Sequence, residues 1–441
     1  MPISDIKPLL QNAGIVGAGG AGFPAYAKLA EGADLICVNC AECEPLLYTD
    51  YMLLQEEITK IVEGIKVILS ETGIKQALLV IKAHRAAMLS YSDGQALAEN
   101  VTVKIIPNVY PIGDEIGLIY EATGRRVAPG ALPISVGVIV FNAETVYNIY
   151  NAITGNSPVT EKWVTVGGDL PDRYVVKVPL GMRVSELFDT LGIEVGEHQV
   201  LFDGGPSMGK IKNYRNAIIT KTTKGVLVLP DETRCVKNKQ VAMDDMLRRA
   251  ASACCGCVRC TEMCPRRALG YPIEPHKMIR ASLNSAVSDH PELIKTASLC
   301  CSCGVCAEVC CQDISPKDVI LHLKGILAKT KTRFEPDGKE WPVSPERPYR
   351  MISSERWEDM IGVRKYDVVP RFIPKKLKAE RVEILTSQHI GAPASPVVKV
   401  GDKVKAGQLV AECGKGLSVA QHASISGTVV SVDPAKIVIE A

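Results

Sequence analysis

The chain has almost no net charge: 51 Lys and Arg against 49 Asp and Glu leave +2 over 441 residues. Such a balance exerts no electrostatic pull on nucleic acid or on an anionic membrane, so neither is expected as a partner. Long apolar runs are also missing. The longest candidate, around Ile134 to Phe141, is strand-sized and far short of the roughly 18 residues of a bilayer span, so no direct membrane insertion is expected. Residues Met1 to Leu10 lack the basic-then-apolar pattern of a secretory leader, which points to the cytoplasm. Thiols stay reduced there, so the sixteen cysteines do not read as a disulfide scaffold.

Half of those cysteines lie in two copies of one spacing, C-x2-C-x2-C-x3-C. The first is Cys254, Cys257, Cys260 and Cys264, followed by Pro265; the second is Cys300, Cys303, Cys306 and Cys310. Three thiolates two residues apart fit one cubic cluster, and in two-cluster ferredoxins the fourth cysteine ligates the neighbouring site. The spacing therefore predicts one 4Fe-4S cluster on Cys254, Cys257, Cys260 and Cys310. The other falls on Cys300, Cys303, Cys306 and Cys264. Paired C-x2-C elements also make zinc ribbons, but a zinc site needs no third cysteine at two-residue spacing and no fourth at three, and here both occur twice. Cys255, Cys301 and Cys311 flank ligands and leave a one-residue slip open, Cys310 against Cys311, because the second run ends CCQD rather than CP. His276 and His290 read as surface or capping residues, since eight cysteines complete two sites.

At 441 residues the chain is long enough for three or four domains. Gly14 to Lys28 read GIVGAGGAGFPAYAK, a loop whose backbone N–H groups can close on a phosphate ahead of a short helix. Gly17, Gly19, Gly20 and Gly22 form it, with Lys28 as a nearby cation; a flexible turn is the competing reading. The strand-like DLICVN (34 to 39) delivers CAECEPLLYTD at its end, where open α/β sheets bind ligands. Glu42 and Glu44 can reach such a ligand, or cap the helix expected from about Tyr51 to Leu69. Further strands at Ala77 to Ile81, Val101 to Ile106 and Val136 to Phe141 predict a parallel α/β layer. Gly113, Glu115 and Arg125 or Arg126 either face a nucleotide or are ordinary loop chemistry.

The segments GAGGAGFPAYAK, NCAECEP, YPIGDEIGLIYEATGR and FNAETVYNIYNAI, in this order, resemble the flavin-binding domain of Rnf-complex C subunits and of NADH:quinone oxidoreductase flavoprotein subunits. The resemblance implies FMN bound with Gly17, Gly19, Gly20, Gly22 and Lys28 in the loop and Asn39, Glu42, Glu44 and Asn142 around the flavin. It makes NADH the donor. Ala41 stands where the quinone-reductase flavoprotein has Asp. Trp163 to Leu229 resembles the soluble-ligand-binding β-grasp domain of the same family. Glu383 to Ala441 resembles a lipoyl-type barrel-sandwich hybrid, with HASISG where a carrier presents its modified lysine, so no lipoyl or biotinyl group is expected; His422 is the one candidate for an interface.

The expected architecture is multidomain, α/β and α+β. It has an FMN/NADH-binding α/β domain (1–158), a β-grasp domain (159–232), a helical ferredoxin-like module with two 4Fe-4S clusters (240–330), an irregular strap (331–380) and a barrel-sandwich hybrid (381–441). A chain that begins with the flavin loop and ends with the sandwich resembles the PduS-type cobalamin reductases of propanediol-utilising microcompartments. That resemblance implies an NADH-dependent oxidoreductase passing electrons through FMN and two clusters to a corrinoid or another acceptor. It also implies a cytoplasmic location, with the interior of a microcompartment as a candidate site, and a corrinoid adenosyltransferase or the shell as candidate partners. Two alternatives stand: a peripheral electron-input component of an Rnf-like membrane complex or another reductase, and a non-catalytic docking module.

Overall fold

The computed structural model describes residues 3–283, 290–336, 338–339 and 341–441. The chain forms two compact units: residues 1–106, 137–231 and 365–441 make the first, and residues 107–136 and 232–364 the second.

The first unit begins with a five-stranded sheet in the order Ala96–Ala98, Val101–Ile106, Gln76–Lys82, Leu35–Asn39, Val138–Asn142. All neighbours run parallel except the edge strand Ala96–Ala98. LICVN is a nearly continuous apolar run because a central parallel strand is covered on both faces, and VIVFN, at the edge of the sheet, is buried to the same degree. Helices Thr49–Thr72 and Ala143–Gly155 pack against one another. Gly64 permits that approach, since a Cβ there would stand 2.9 Å from the Val146 carbonyl oxygen. Asn142 ends its strand and caps the next helix, its side chain accepting from Glu144 N at 3.1 Å.

A six-stranded sheet follows, built on the antiparallel pair Glu161–Gly168 and Tyr174–Pro179, the helix Val184–Leu191 and the strand Gly225–Pro230, which lies parallel to Glu161–Gly168. This is the β-grasp order read from the sequence. Arg371–Ile373, from the stretch expected to be irregular, adds the outer strand, and Phe372 stacks on the buried Trp163 with ring centroids 5.2 Å apart. The C-terminal strands form one four-stranded and one three-stranded sheet. Glu383 ties them to the β-grasp fold through Arg183 Nε at 2.8 Å, while Lys436 Nζ holds its other oxygen at 2.6 Å.

The second unit is made of short helices. Met246, Ala250, Ile279 and Ile314 form one buried cluster with Val241 and Cys310 packed against it. Ser315 caps the longest of these helices, Pro316–Lys329, whose first residue is a proline that fits a position needing no N–H partner. Tyr110 lies in the strand pair Val109–Tyr110 and Ile352–Ser353, and its ring stacks on the buried Trp357 at 4.3 Å.

His422 lies buried in the strand Gln421–His422. Burial, helped by the Lys221 charge, lowers its pKa from 6.5 to about 4. Below 6.5 the unfolded chain binds a proton there that the folded chain refuses, so stability must fall on acidification through the window 6.5 to 4. Urea titrations at stepped pH should show this loss, and His422→Phe should flatten it; an equally steep loss in the variant would assign it elsewhere.

Candidate functional site

The glycine loop is closed at its base. Gly17 N donates to Phe23 O at 2.8 Å, Gly22 N to Gly17 O at 3.2 Å, and Ala18 N to Thr145 Oγ1 at 3.0 Å. Its tip, Gly19 to Ala21, is exposed. Gly20 has φ +112°, and a Cβ there would meet nothing within 4 Å, whereas one at Gly19 would lie 3.6 Å from Asn142. The tip is therefore open space over an amide side chain, a cradle that fits a flat polar ligand or a phosphate. Lys28 points elsewhere, donating to Val140 O at 2.9 Å.

Asn39 and Asn142 meet at the carboxyl ends of adjacent parallel strands. Asn142 Nδ2 donates to Asp50 Oδ2 at 2.9 Å and to Asn39 O at 3.3 Å, and Asn39 Oδ1 accepts from Ala41 N. Glu42 caps helix Thr49–Thr72: its oxygens accept from Thr49 Oγ1 at 2.8 Å, Asp50 N at 3.0 Å and Tyr51 N at 3.3 Å. Burial, with the Asp50 charge adding, raises its pKa. Glu44 accepts from Ser207 N at 2.9 Å and Met208 N at 3.1 Å, so the β-grasp loop GGPSMG grips it. Gly205 is required there, because a Cβ would fall 2.1 Å from Glu44 Oε2.

Beneath these residues lies a charge network that sequence reasoning missed. Lys224 pairs with Asp50 and donates to Thr49 Oγ1 at 3.0 Å, and Lys162 pairs with Glu144. Lys224 also stands 3.9 Å from Glu144. All four are buried. Nothing in the spacing pairs Asp50 with a lysine 174 positions further on. Asp50 and Glu144 both fall at helix starts within segments that the sequence marks out, and that position was the one available signal.

Gly113 and Glu115 belong to the second unit, at the start of helix Glu115–Thr123, while the glycine loop, Asn39 and Asn142 belong to the first. Arg125 donates to Val136 O at 2.9 Å and Arg126 to Trp341 O.

In the second unit, Cys264, Cys300, Cys301, Cys303 and Cys306 line one pocket together with Ile273, Lys317 and Ile320. Four of these five thiols are the set assigned to one cluster from the crossed spacing, and Cys301 lies among them. Burial first, and then the Cys300 and Cys301 thiols among other effects, raises Cys264 to about 12. In the other group, burial and then Cys310, Cys257 and Cys254 raise Cys260 to about 11. Cys255, Cys257 and Cys311 form an exposed group with sulfurs within 4.8 Å of one another, so Cys311 lies with Cys257 while Cys310 packs against the Met246 cluster. His276 is hydrogen-bonded to Thr261 Oγ1 through Nδ1 at 2.7 Å, and His290 sits at the start of helix Pro291–Lys295.

The two cysteine runs share a backbone conformation as well as a spacing. Gly256 and Ser302, at matching positions, have φ +67° and +64°; Val258 and Gly304, two residues on, have +62° and +88°. A β-branched residue in the left-handed region costs about 1–3 kcal/mol and persists only where the surroundings enforce it. The repeated turn brings Ser302 N within 3.3 Å of Cys300 Sγ, an amide aimed at a would-be ligand sulfur. Behind the cavity Tyr110 Oη donates to Cys303 O at 2.6 Å, Lys324 Nζ to Cys300 O at 2.8 Å, and Arg266, beside Cys264, pairs with Asp114 at 2.6 Å. A cavity of thiols with amides and cations around it fits an anionic iron-sulfur cluster.

Comparison with known proteins gives three domain matches: the Nuo51 FMN-binding domain over residues 10–151, a 4Fe-4S dicluster domain over 253–315 and the RnfC barrel sandwich hybrid domain over 370–441. The cobalamin reductase PduS of Salmonella typhimurium is 35% identical over 431 residues, covering 97% of this chain and 94% of that protein. Its counterpart from Citrobacter freundii is 34% identical, covering 96% and 94%. The C subunit of the Na(+)-translocating ferredoxin:NAD(+) oxidoreductase complex of Acetobacterium woodii is 29% identical over 271 residues, 60% of this chain and 58% of that one.

Lys224→Met strands Asp50 in the interior and is expected to cost about 3–5 kcal/mol, whereas Asp50→Asn with Lys224→Met should cost clearly less; denaturation midpoints of the single and double variants decide this. Tyr110→Phe removes the donor to Cys303 O, so one cluster should become harder to reduce while the other keeps its midpoint potential. An EPR-monitored redox titration reads both at once, and equal shifts in the two would sink the assignment.

Proposed function

The chain belongs to the family of the PduS cobalamin reductases, and from this we propose that it carries electrons from NADH, through FMN at the Gly17–Gly22 loop and two 4Fe-4S clusters, to a corrinoid. It is a flavin and iron-sulfur oxidoreductase. The flavin supplies the conversion of a two-electron hydride into single electrons, which is what a cluster can accept. Gly19 and Gly20 leave room over Asn142 for the flavin, with Asn39 at the neighbouring strand end. Glu42 and Glu44 act one layer out: Glu42 fixes the helix that presents Asp50, and Glu44 holds the β-grasp loop. Cys264, Cys300, Cys303 and Cys306 hold one cluster; Cys254, Cys257, Cys260 and Cys310 hold the other. Gly113 and Glu115 are proposed for the nucleotide. The same proposal places the protein in the cytoplasm, inside a microcompartment, handing reduced corrinoid to an adenosyltransferase.

The observation that carries this reading is the crossing of the runs: Cys264, from the first, lines one pocket with Cys300, Cys301, Cys303 and Cys306 of the second. The similarity to part of an ion-translocating complex over 60% of the chain favours a second reading, an electron-input component for a membrane partner. The test is anaerobic. Protein reconstituted with iron, sulfide and FMN receives NADH, and the visible spectrum is followed before and after cob(III)alamin is added. Flavin and cluster bands should bleach with NADH and recover as cobalamin is reduced. Bleaching with cobalamin left oxidised would shift the reading to another acceptor, and no bleaching at all would remove NADH as donor.

A further inference from the structure

Lys221 is a buried lysine whose amine, among the described residues, faces backbone carbonyls and no carboxylate. It is 2% exposed, and its Nζ donates to Gly14 O at 2.7 Å and to Ala420 O at 3.1 Å; its backbone N donates to Gln388 Oε1 at 3.0 Å. Burial lowers its pKa from 10.5 to about 7, against a small opposing pull from Cys413. The N–H groups of the amine are matched by the two carbonyls it faces. Gly14 starts the glycine loop, with φ +73°, and a Cβ on it would lie 2.6 Å from both Ala420 O and Lys221 Nζ. Lysine, β-grasp loop, barrel-sandwich strand and glycine loop thus meet at one point.

The far end of the loop is held by the same two modules. A Cβ on Gly22 would fall 2.9 Å from Thr222 Cγ2, the residue after Lys221, and Ile390 N donates to Gly22 O at 3.0 Å. Gln11, just before the loop, donates to Ser418 O at 3.1 Å and accepts from Ala420 N at 3.2 Å. Both ends are therefore clamped from outside the α/β domain, and only the tip is left open.

We propose that Lys221 and the C-terminal barrel-sandwich module are positioning elements of the flavin site, setting the span of the glycine loop so that its tip receives FMN. The inference rests on the reading of that loop as the flavin cradle. It gives the module a role unrelated to carrying a covalent group. It also accounts for a buried lysine whose partners are backbone carbonyls of the two segments being joined.

The test uses the full chain with reconstituted clusters. FMN affinity is measured by quenching of flavin fluorescence, and visible circular dichroism of the bound flavin is recorded at saturation. Lys221→Met leaves two buried carbonyls without a donor, so FMN should bind at least about tenfold more weakly, with altered flavin dichroism and unchanged iron content. Ile390→Pro, which removes the donor to Gly22 O at an exposed position of the C-terminal module, should act in the same direction and serves if Lys221→Met does not fold. Wild-type affinity and dichroism in a variant that keeps its clusters would overturn the inference and leave the flavin reading intact. Failure of the unaltered protein to bind FMN would instead overturn the flavin reading, and the inference with it.

Discussion

Charge removed from water has to be answered at once by opposite charge or by dipoles, and the first unit is organised by that demand. Asp50 and Glu144 lie at helix starts beside the carboxyl ends of the parallel strands, and both are buried. Their cations, Lys224 and Lys162, come from the β-grasp fold. Neither fold can keep its charged groups dry without the other, because an uncompensated buried ion costs several kcal/mol. The α/β layer and the β-grasp layer are therefore one structure energetically, and the amide of Asn142 is fixed on top of the network that joins them.

The second unit answers a different demand. Its thiols have to converge, and the backbone that aims them spends two left-handed residues per run, one of them a valine. Short helices with proline at their first position start where such turns end, as at Pro265 after Cys264. Around them polar groups donate to carbonyls of the proposed ligand residues, as Tyr110 does to Cys303 and Lys324 to Cys300. Those contacts act on the cluster environment and leave the ligand set alone, which is how one spacing can serve clusters of different potential.

The C-terminal module illustrates how domain order and domain contact come apart. The module that matches the RnfC barrel sandwich hybrid domain lies far along the chain from the glycine loop, yet it reaches back to residues 11 to 22. Covalent order matters little once a surface is complementary, since joining ends that lie near each other in a folded structure costs only loop entropy.

Much was legible because it is local. A period of two or an apolar run marks a strand, glycines mark a loop that has to open, and the cysteine spacing encodes a ligand arc within a few residues. The parallel sheet and the β-grasp order both follow from such short-range chemistry. What needed the tertiary structure is long-range pairing of groups that look ordinary in sequence. Glu42 reads equally as ligand or cap until the helix it caps is in place. Lys162, Lys221 and Lys224 are three lysines among many surface cations, and only burial against Glu144, against two carbonyls and against Asp50 separates them. The sequence alone determined which cofactors the chain can hold, since ligand type and spacing are covalent facts. The folded structure decided which residues hold the loops and thiols in place, because desolvation and distance exist only once the chain has closed on itself.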